Sequence, residues 1–124
     1  MSNGEINMWN RFRFFLTKKS SRVFKKKDIN IEELKKMIME GALLVDVRSP
    51  QEYQEGHLKG AKLIPEYEIM KTCIYELKDK NAVIILYCST GSRSKKAQRK
   101  LEKMGYQNVY NLYNGIQNFN FDIL

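Results

Sequence analysis

The chain has 124 residues, 43% of them apolar and 29% charged, and 22 Lys and Arg against 14 Asp and Glu give a net charge of +8. This length supports one hydrophobic core, and these fractions exclude a collagen-like chain, a coiled coil and a wholly disordered chain. Two cysteines without metal-ligand spacing exclude a disulfide-stapled scaffold and a zinc site. We therefore expect one folded domain in a reduced, cytoplasmic protein that binds no metal.

The positive charge is concentrated at the N-terminus. Residues 1–27 contain eight basic side chains and one acidic one, whereas residues 28–124 contain 14 and 13. This contrast predicts a basic leader over 1–27 and a nearly neutral domain over 28–124. The leader lacks the uninterrupted apolar segment of a signal peptide, and no run in the chain is long enough to span a bilayer.

The leader also has an apolar face. If residues 7–19 are helical, one face collects apolar side chains, namely Met8, Trp9, Phe12, Phe15 and Leu16. This face fits the domain's own sheet, a second copy of the chain, or an anionic membrane, which would place the protein peripherally on the inner membrane surface. A protein partner or nucleic acid also fits the charge, but no nucleic-acid-binding fold accompanies it, which disfavours nucleic acid.

The first half of the domain alternates helical and strand patterns. Asn30 and Glu33 form a capping box that predicts a helix over 31–40. Residues 43–47 are a short apolar run typical of a strand covered on both faces. Ser49 and Pro50 predict a short helix directly after it, and residues 61–64 predict a second short strand.

The second half repeats the alternation. The predicted elements are a helix through Ile69, Cys73 and Leu77, a strand over 82–87, a helix over 93–104 and a strand over 108–112. The strand over 82–87 is the most apolar, so we place it in the middle of the sheet. Together the elements predict a three-layer α/β fold, with a mostly parallel sheet of about five strands and helices on both faces. Ligands of such sheets bind at the carboxyl ends of the strands.

One loop at that edge carries the residues for nucleophilic chemistry. Cys88 follows the central strand and precedes Ser89-Thr90-Gly91-Ser92-Arg93 and a helix. Backbone N–H groups and the helix N-terminus favour an anion there, so the pKa of the thiol should be lowered. Gly91 permits the tight loop and Arg93 suits an oxyanion. We interpret Cys88 as a nucleophile; the alternative is a small buried apolar residue.

Cys73 lies on the buried stripe of its predicted helix. Core packing explains it, and the alternative is a resolving thiol for Cys88.

Two stretches resemble one family. Asp46-Val47-Arg48, Glu52-Tyr53, Gly56-His57-Leu58 and Gly60-Ala61, together with the Cys88 to Arg93 loop, are similar to a single-domain rhodanese, a sulfurtransferase, over about residues 28–119. The chain departs from the family pattern at Asn114-Gly115 and Phe119, where Gly-Gly and Trp are usual, which affects the end of the domain rather than the loop.

The resemblance implies a mechanism. Cys88 would take the outer sulfur of a small anionic donor such as thiosulfate as a persulfide and pass it to a thiol, in a small molecule or a protein, or to cyanide, without a metal or organic cofactor. The amides of residues 89–93 would stabilise the anion, with the hydroxyls of Ser89, Thr90 and Ser92 as further donors. Arg93 would hold donor oxygens, or by resemblance brace the loop against Asp46 or Glu52.

Other functions fit parts of this pattern. Phosphatases and arsenate reductases of the same fold resemble it but have five residues between Cys and Arg, whereas this chain has four. His57 is interpreted as a structural hydrogen-bonding residue rather than a catalytic base. Asp46 and Arg48 could line the rim of the site, although a structural salt bridge or turn contact is the preferred interpretation of both. A rhodanese-type binding or regulatory module is the non-enzymatic alternative.

Overall fold

A computed structural model describes residues 27–118. Within them lie five strands and four helices, with a 3₁₀ helix at Glu66–Glu68. The strands are β1 (Asp28–Ile29), β2 (Leu43–Asp46), β3 (Lys62–Leu63), β4 (Val83–Tyr87) and β5 (Asn108–Leu112). The helices are α1 (Ile31–Met39), α2 (Pro50–Glu55), α3 (Ile69–Glu76) and α4 (Ser92–Lys103).

All four strand pairings are parallel, and the sheet order is β1-β5-β4-β2-β3. The predicted α/β fold is confirmed, and β4 is the central strand as expected. Strand β1 and the 3₁₀ helix at Glu66–Glu68 were not predicted. Strand β1 has only two residues, which is too short for any alternation, and its pairing of Asp28 with Asn111 depends on the distant β5.

Local sequence explains where two of the helices begin. In α1 the Asn30 side chain accepts a hydrogen bond from the Glu33 amide, and the Glu33 carboxylate accepts one from the Asn30 amide. Ser49 and Glu52 form the same reciprocal pair before α2. Each capping box satisfies amides that a helix N-terminus leaves without partners, so both helices begin where the pattern predicts.

The sheet is covered on both faces. Ile84 and Leu86 of β4 face a core shared with α3 and α4, while Ile85 and Tyr87 face the core beneath α1. Because neighbouring strand residues point to opposite faces, a continuous apolar run is what such a central strand requires. The two layers hold β4 rigidly, with Cys88 at its carboxyl end.

Three sequence-based expectations fall outside the described residues. They are the basic leader as a separate segment, the amphipathic helix over 7–19 with its membrane or self-association role, and the packing of Phe119. Within residues 27–118, no helix has the length and apolar character needed to cross a membrane.

Candidate active site

Cys88 lies at the carboxyl end of β4, wholly buried beneath the loop that leads into α4. Its Sγ accepts hydrogen bonds from the Gly91 amide at 3.1 Å and the Ser94 amide at 3.3 Å. The Ser94 hydroxyl lies 3.4 Å from the same sulfur. The sulfur therefore faces a set of donors at the N-terminus of α4, which suits an anion.

These donors and the burial of the thiol act in opposite directions on its pKa. Burial by itself raises the pKa of Cys88, but hydrogen bonds from Ser94 and from the amides of Gly91 and Thr90 outweigh it, so the pKa lies below its ordinary value. A lower pKa means a larger thiolate fraction at neutral pH, and the thiolate is the reactive form of cysteine. The local geometry thus favours the thiolate form of Cys88.

Ser94 is a residue of the site that sequence reasoning missed. Its hydroxyl donates to Asn111 Oδ1 at 2.5 Å, and the Asn111 amide nitrogen donates to Asp28 at 3.1 Å. The Gly91 carbonyl oxygen lies 3.2 Å from the same hydroxyl. A hydroxyl has a single hydrogen, so Asn111, the Gly91 carbonyl and the Cys88 sulfur compete for the one on Ser94. Of the three hydroxyls predicted as further donors, Ser89 donates to Glu52, and Thr90 lies 3.4 Å from Ser92. Their role as donors to a persulfide anion stays a prediction. The signal was available, since Ser94 stands two positions into the predicted helix on its buried face.

Arg93 forms two hydrogen bonds with Glu52, at 2.8 and 3.0 Å. These two hydrogen bonds hold the active loop against α2. Bracing of the loop was one of the two roles predicted for Arg93. The Arg93 guanidinium holds the pKa of the Glu52 carboxyl well below its usual range. Arg93 remains partly exposed, with 39% of its side chain in contact with solvent, so its role in holding donor oxygens stays a prediction.

Asp46 and Arg48 form a buried pair behind the loop. The Arg48 guanidinium donates to both Asp46 oxygens and, at 2.6 Å, to the Gly56 carbonyl. Burial, and the Asp46 carboxylate beside it, raise the pKa of the Tyr87 hydroxyl well above its ordinary value. These contacts are structural, so the two residues support the site from within rather than line its rim.

His57 has the hydrogen-bonding position expected of it. Its Nδ1 lies 2.8 Å from the Tyr53 carbonyl, and its ring stacks on that of Tyr53 with centroids 3.6 Å apart. Cys73 packs in the α3/α4 core, wholly buried and with its sulfur 3.6 Å from that of Met104. These contacts assign His57 and Cys73 to the scaffold of the domain.

A turn after β5 holds the active loop from behind. The amides of Ile116 and Gln117 donate to the carbonyls of Cys88 and Ser89 at 3.1 and 3.0 Å. Gly115 has a φ of +65°, and a Cβ there would lie 2.3 Å from the Ser89 carbonyl oxygen. Its neighbour Asn114 also has a positive φ, which asparagine adopts more readily than most residues. Asn114-Gly115, which stands where the family usually has Gly-Gly, therefore still allows this turn to approach the active loop closely.

Fold and site together define an α/β protein with a buried cysteine in an anion-stabilising loop at the carboxyl end of its central strand. Residues 30–122 match the family described as the Rhodanese-like domain. The chain belongs to this family, as the loop and the sheet order lead one to expect.

Several named proteins are similar in sequence to part of this chain. It is 39% identical over 67 residues to the thiosulfate sulfurtransferase PspE of Escherichia coli, a match covering 54% of this chain and 64% of that protein. It is 31% identical to the thiosulfate sulfurtransferase GlpE of Pseudomonas entomophila, covering 73% of this chain and 82% of that one. Some relatives are longer and named differently: the chain spans 26% of a tRNA uridine(34) hydroxylase of Hamiltonella defensa.

A solved structure agrees with the fold. The rhodanese-like domain protein of Staphylococcus aureus superposes with a TM-score of 0.64 at 32% identity, covering 79% of this chain and 95% of the other. Family membership and fold therefore agree with a sulfur-transfer function.

Proposed function

We propose that this protein is a sulfurtransferase in which Cys88 carries sulfane sulfur as a persulfide. The observation that carries the proposal is the set of donors around Cys88 Sγ, from the Gly91 amide and both groups of Ser94. Such a set stabilises a thiolate before the reaction and a persulfide anion after it. Relatives named thiosulfate sulfurtransferases support the same reaction.

The reaction has two steps. The Cys88 thiolate attacks the outer sulfur of a donor such as thiosulfate, the sulfur–sulfur bond of the donor breaks, and sulfite leaves with the bonding electron pair. An acceptor thiolate or cyanide then attacks the outer sulfur of the persulfide, and Cys88 leaves as a thiolate. Because the enzyme is covalently modified between the steps, the kinetics should be ping-pong.

Incubation with thiosulfate followed by mass spectrometry of the intact protein tests the proposal. We expect one added sulfur on Cys88 and turnover with cyanide. Cys88→Ser should lose both, whereas Cys73→Ala, which changes the other thiol, should keep both. No sulfur adduct with any of several donors would overturn the proposal in favour of a binding module.

Location and attachment complete the proposed function. Cys73 and Cys88 are free thiols, and a persulfide cycle needs thiols kept reduced, which supports a cytoplasmic location.

We propose that the basic leader attaches the domain to an anionic membrane or to another copy. Sedimentation with anionic vesicles, with Lys25→Glu/Lys26→Glu as the comparison, and the oligomeric state of the same variant distinguish these two targets.

A further inference from the structure

The outer face of α4 carries a stripe of cations. Lys96, Arg99 and Lys103 are all exposed, and their spacing puts them on one side of the helix. Among residues 27–118 none of the three has a carboxylate partner. The other cations of α4 are neutralised by ion pairs to three different elements, namely Arg93 with Glu52, Lys95 with Asp28 and Lys100 with Glu66.

An apolar patch lies on α3 and on the 3₁₀ helix that precedes it. Tyr67 is 68% exposed, Met70 50% and Ile74 53%. Helix α3 buries Ile69 and Cys73, and on one flank Glu76 pairs with Lys62 of the edge strand β3 at 2.8 Å.

The Glu76–Lys62 pair shows which side of α3 faces the edge of the sheet. At about 100° per residue, Met70 and Ile74 lie on the other side of the buried residues Ile69 and Cys73. They are therefore on the side of α3 that faces α4. The Lys100 to Glu66 pair joins α4 to the segment before α3 across the same groove. On α4, Lys96 lies nearest this groove, whereas Lys103 and Arg99 lie further round on the outer face of the helix. The apolar side chains of α3 and the cation stripe of α4 therefore belong to one surface along the groove.

This groove begins at the active-site edge of the sheet. The Glu66 amide, just before α3, donates to the Val47 carbonyl at the end of β2, and the Ser94 amide of α4 donates to Cys88. Lys103 lies about 16 Å further along α4 than Ser92, at 1.5 Å per residue. A small anion at Cys88 cannot reach the whole stripe, so the surface is large enough for a macromolecule.

We propose that the α3/α4 groove is the docking surface for a protein thiol with acidic and apolar side chains around its cysteine, which accepts sulfur from Cys88. This proposal rests on the proposed function. Exposed Tyr and Met side chains beside cations are typical of protein interfaces, and unpaired cations select carboxylates on the partner. Met70 and Ile74 are not aromatic and offer no stacking surface for bases, so this patch beside the cations favours a protein over a nucleic acid.

The transfer itself balances without an external oxidant. The docked thiol loses its proton to solvent, and the thiolate attacks the outer sulfur of the Cys88 persulfide. The bond between that sulfur and Cys88 Sγ breaks, and the electron pair stays on Cys88 as a thiolate. The acceptor becomes the persulfide.

The experiment follows single-turnover sulfur transfer from the persulfide form of the full chain. The acceptors are 2-mercaptoethanol and two cysteine peptides of equal length, one with Glu and Leu around the thiol and one with Lys replacing Glu. Two variants of equal net charge are compared: Lys96→Glu/Arg99→Glu in the groove and Lys36→Glu/Lys59→Glu on exposed positions away from it. A third variant, Met70→Ser/Ile74→Ser, tests the apolar flank.

The unaltered chain and the Lys36→Glu/Lys59→Glu control should transfer to the acidic peptide about tenfold faster than to the basic one. Lys96→Glu/Arg99→Glu should lose this preference while its transfer to 2-mercaptoethanol stays within about twofold, and Met70→Ser/Ile74→Ser should slow transfer to the acidic peptide severalfold.

If the groove variant and the control lost the preference for the acidic peptide to the same extent, net charge alone would explain the effect, and the docking proposal would be overturned. Tight binding of a single-stranded RNA without any preference between the peptides would overturn it in favour of nucleic acid. Normal transfer to 2-mercaptoethanol with no peptide preference overturns the docking proposal alone, whereas failure to form the persulfide overturns the proposed function and the docking proposal with it.

Discussion

The Ser94 hydroxyl lies 3.4 Å from Cys88 Sγ, and it also has Asn111 Oδ1 at 2.5 Å and the Gly91 carbonyl oxygen at 3.2 Å as acceptors. Asn111 is oriented by its own bond to Asp28, and Asp28 is paired with Lys95 of α4. Through this chain of polar contacts, β1 and β5 position a group that acts on the sulfur. When Cys88 ionises, its negative charge competes with Asn111 for the Ser94 hydrogen.

Removing that hydroxyl should raise the pKa of Cys88. Ser94→Ala keeps the amide donor but loses the hydroxyl, so the thiolate fraction at neutral pH should fall and alkylation by iodoacetamide should slow about threefold at pH 7. The measurement is the alkylation rate across a pH series, which should shift to higher pH. Ser92→Ala is the matched control, because the Ser92 hydroxyl lies against Thr90 instead. A shift in the control and none in Ser94→Ala would contradict this assignment.

Gly115 should tolerate no side chain. A Cβ there would lie 2.3 Å from the Ser89 carbonyl oxygen and 2.5 Å from that of Cys88. Both contacts are to backbone, so the active loop itself must move, at a cost of about 1–3 kcal/mol. We expect Gly115→Ala to lower the free energy of unfolding in urea by that amount and to reduce sulfur transfer more than tenfold. Gly60→Ala is the control for positive φ alone, since nothing lies within 4 Å of a Cβ there; equal loss of transfer in both variants would argue against a clash.

Glu52 should make the domain sensitive to acid. Its pKa is lowered in the folded state, mainly by the hydrogen bonds from Arg93, relative to an ordinary value of 4.5. The unfolded chain therefore binds the proton first, so the contribution of Glu52 to stability is complete above about pH 4.5 and is lost as the pH falls below it. Glu52→Gln should flatten the dependence of the melting temperature on pH in that range. Lys62 also lowers the pKa of Glu76, but solvent screens this exposed pair, so Glu76→Gln should change the slope much less. An equal change of slope in both variants would contradict a special role for Glu52.

Asp46 should be required for folding stability rather than for chemistry alone. It is fully buried and accepts hydrogen bonds from the Arg48 guanidinium and the Arg48 amide. Asp46→Asn leaves the buried guanidinium without a counter-charge, which costs about 3–5 kcal/mol in comparable pairs. The check is the urea midpoint with the slope of unfolding unchanged. A loss of sulfur transfer at full stability would instead place Asp46 at the reacting groups.

Much of the fold could be predicted from local patterns. The capping boxes at Asn30 and Ser49 determine where two helices begin, and the apolar run over 82–87 identifies the central strand, because these signals lie within a few residues of one another. Strand β1 could not be predicted, since its two residues are held by pairing with β5, more than 80 positions away. The order of the strands is likewise a property of crossovers that no local pattern contains.

The same division runs through the active site. In the local sequence, a cysteine ends a buried strand and is followed by small residues, a glycine and a helix, and this order is enough to predict an anion-stabilising loop. The folded structure was needed to show that the Ser94 hydroxyl lies at the sulfur, that Arg93 is turned to Glu52 and that Gly115 lies against the loop. The difference arises from distance along the chain. Amides near Cys88 follow from the course of the backbone, whereas the partners of a side chain depend on strands and helices that meet only when the sheet has formed.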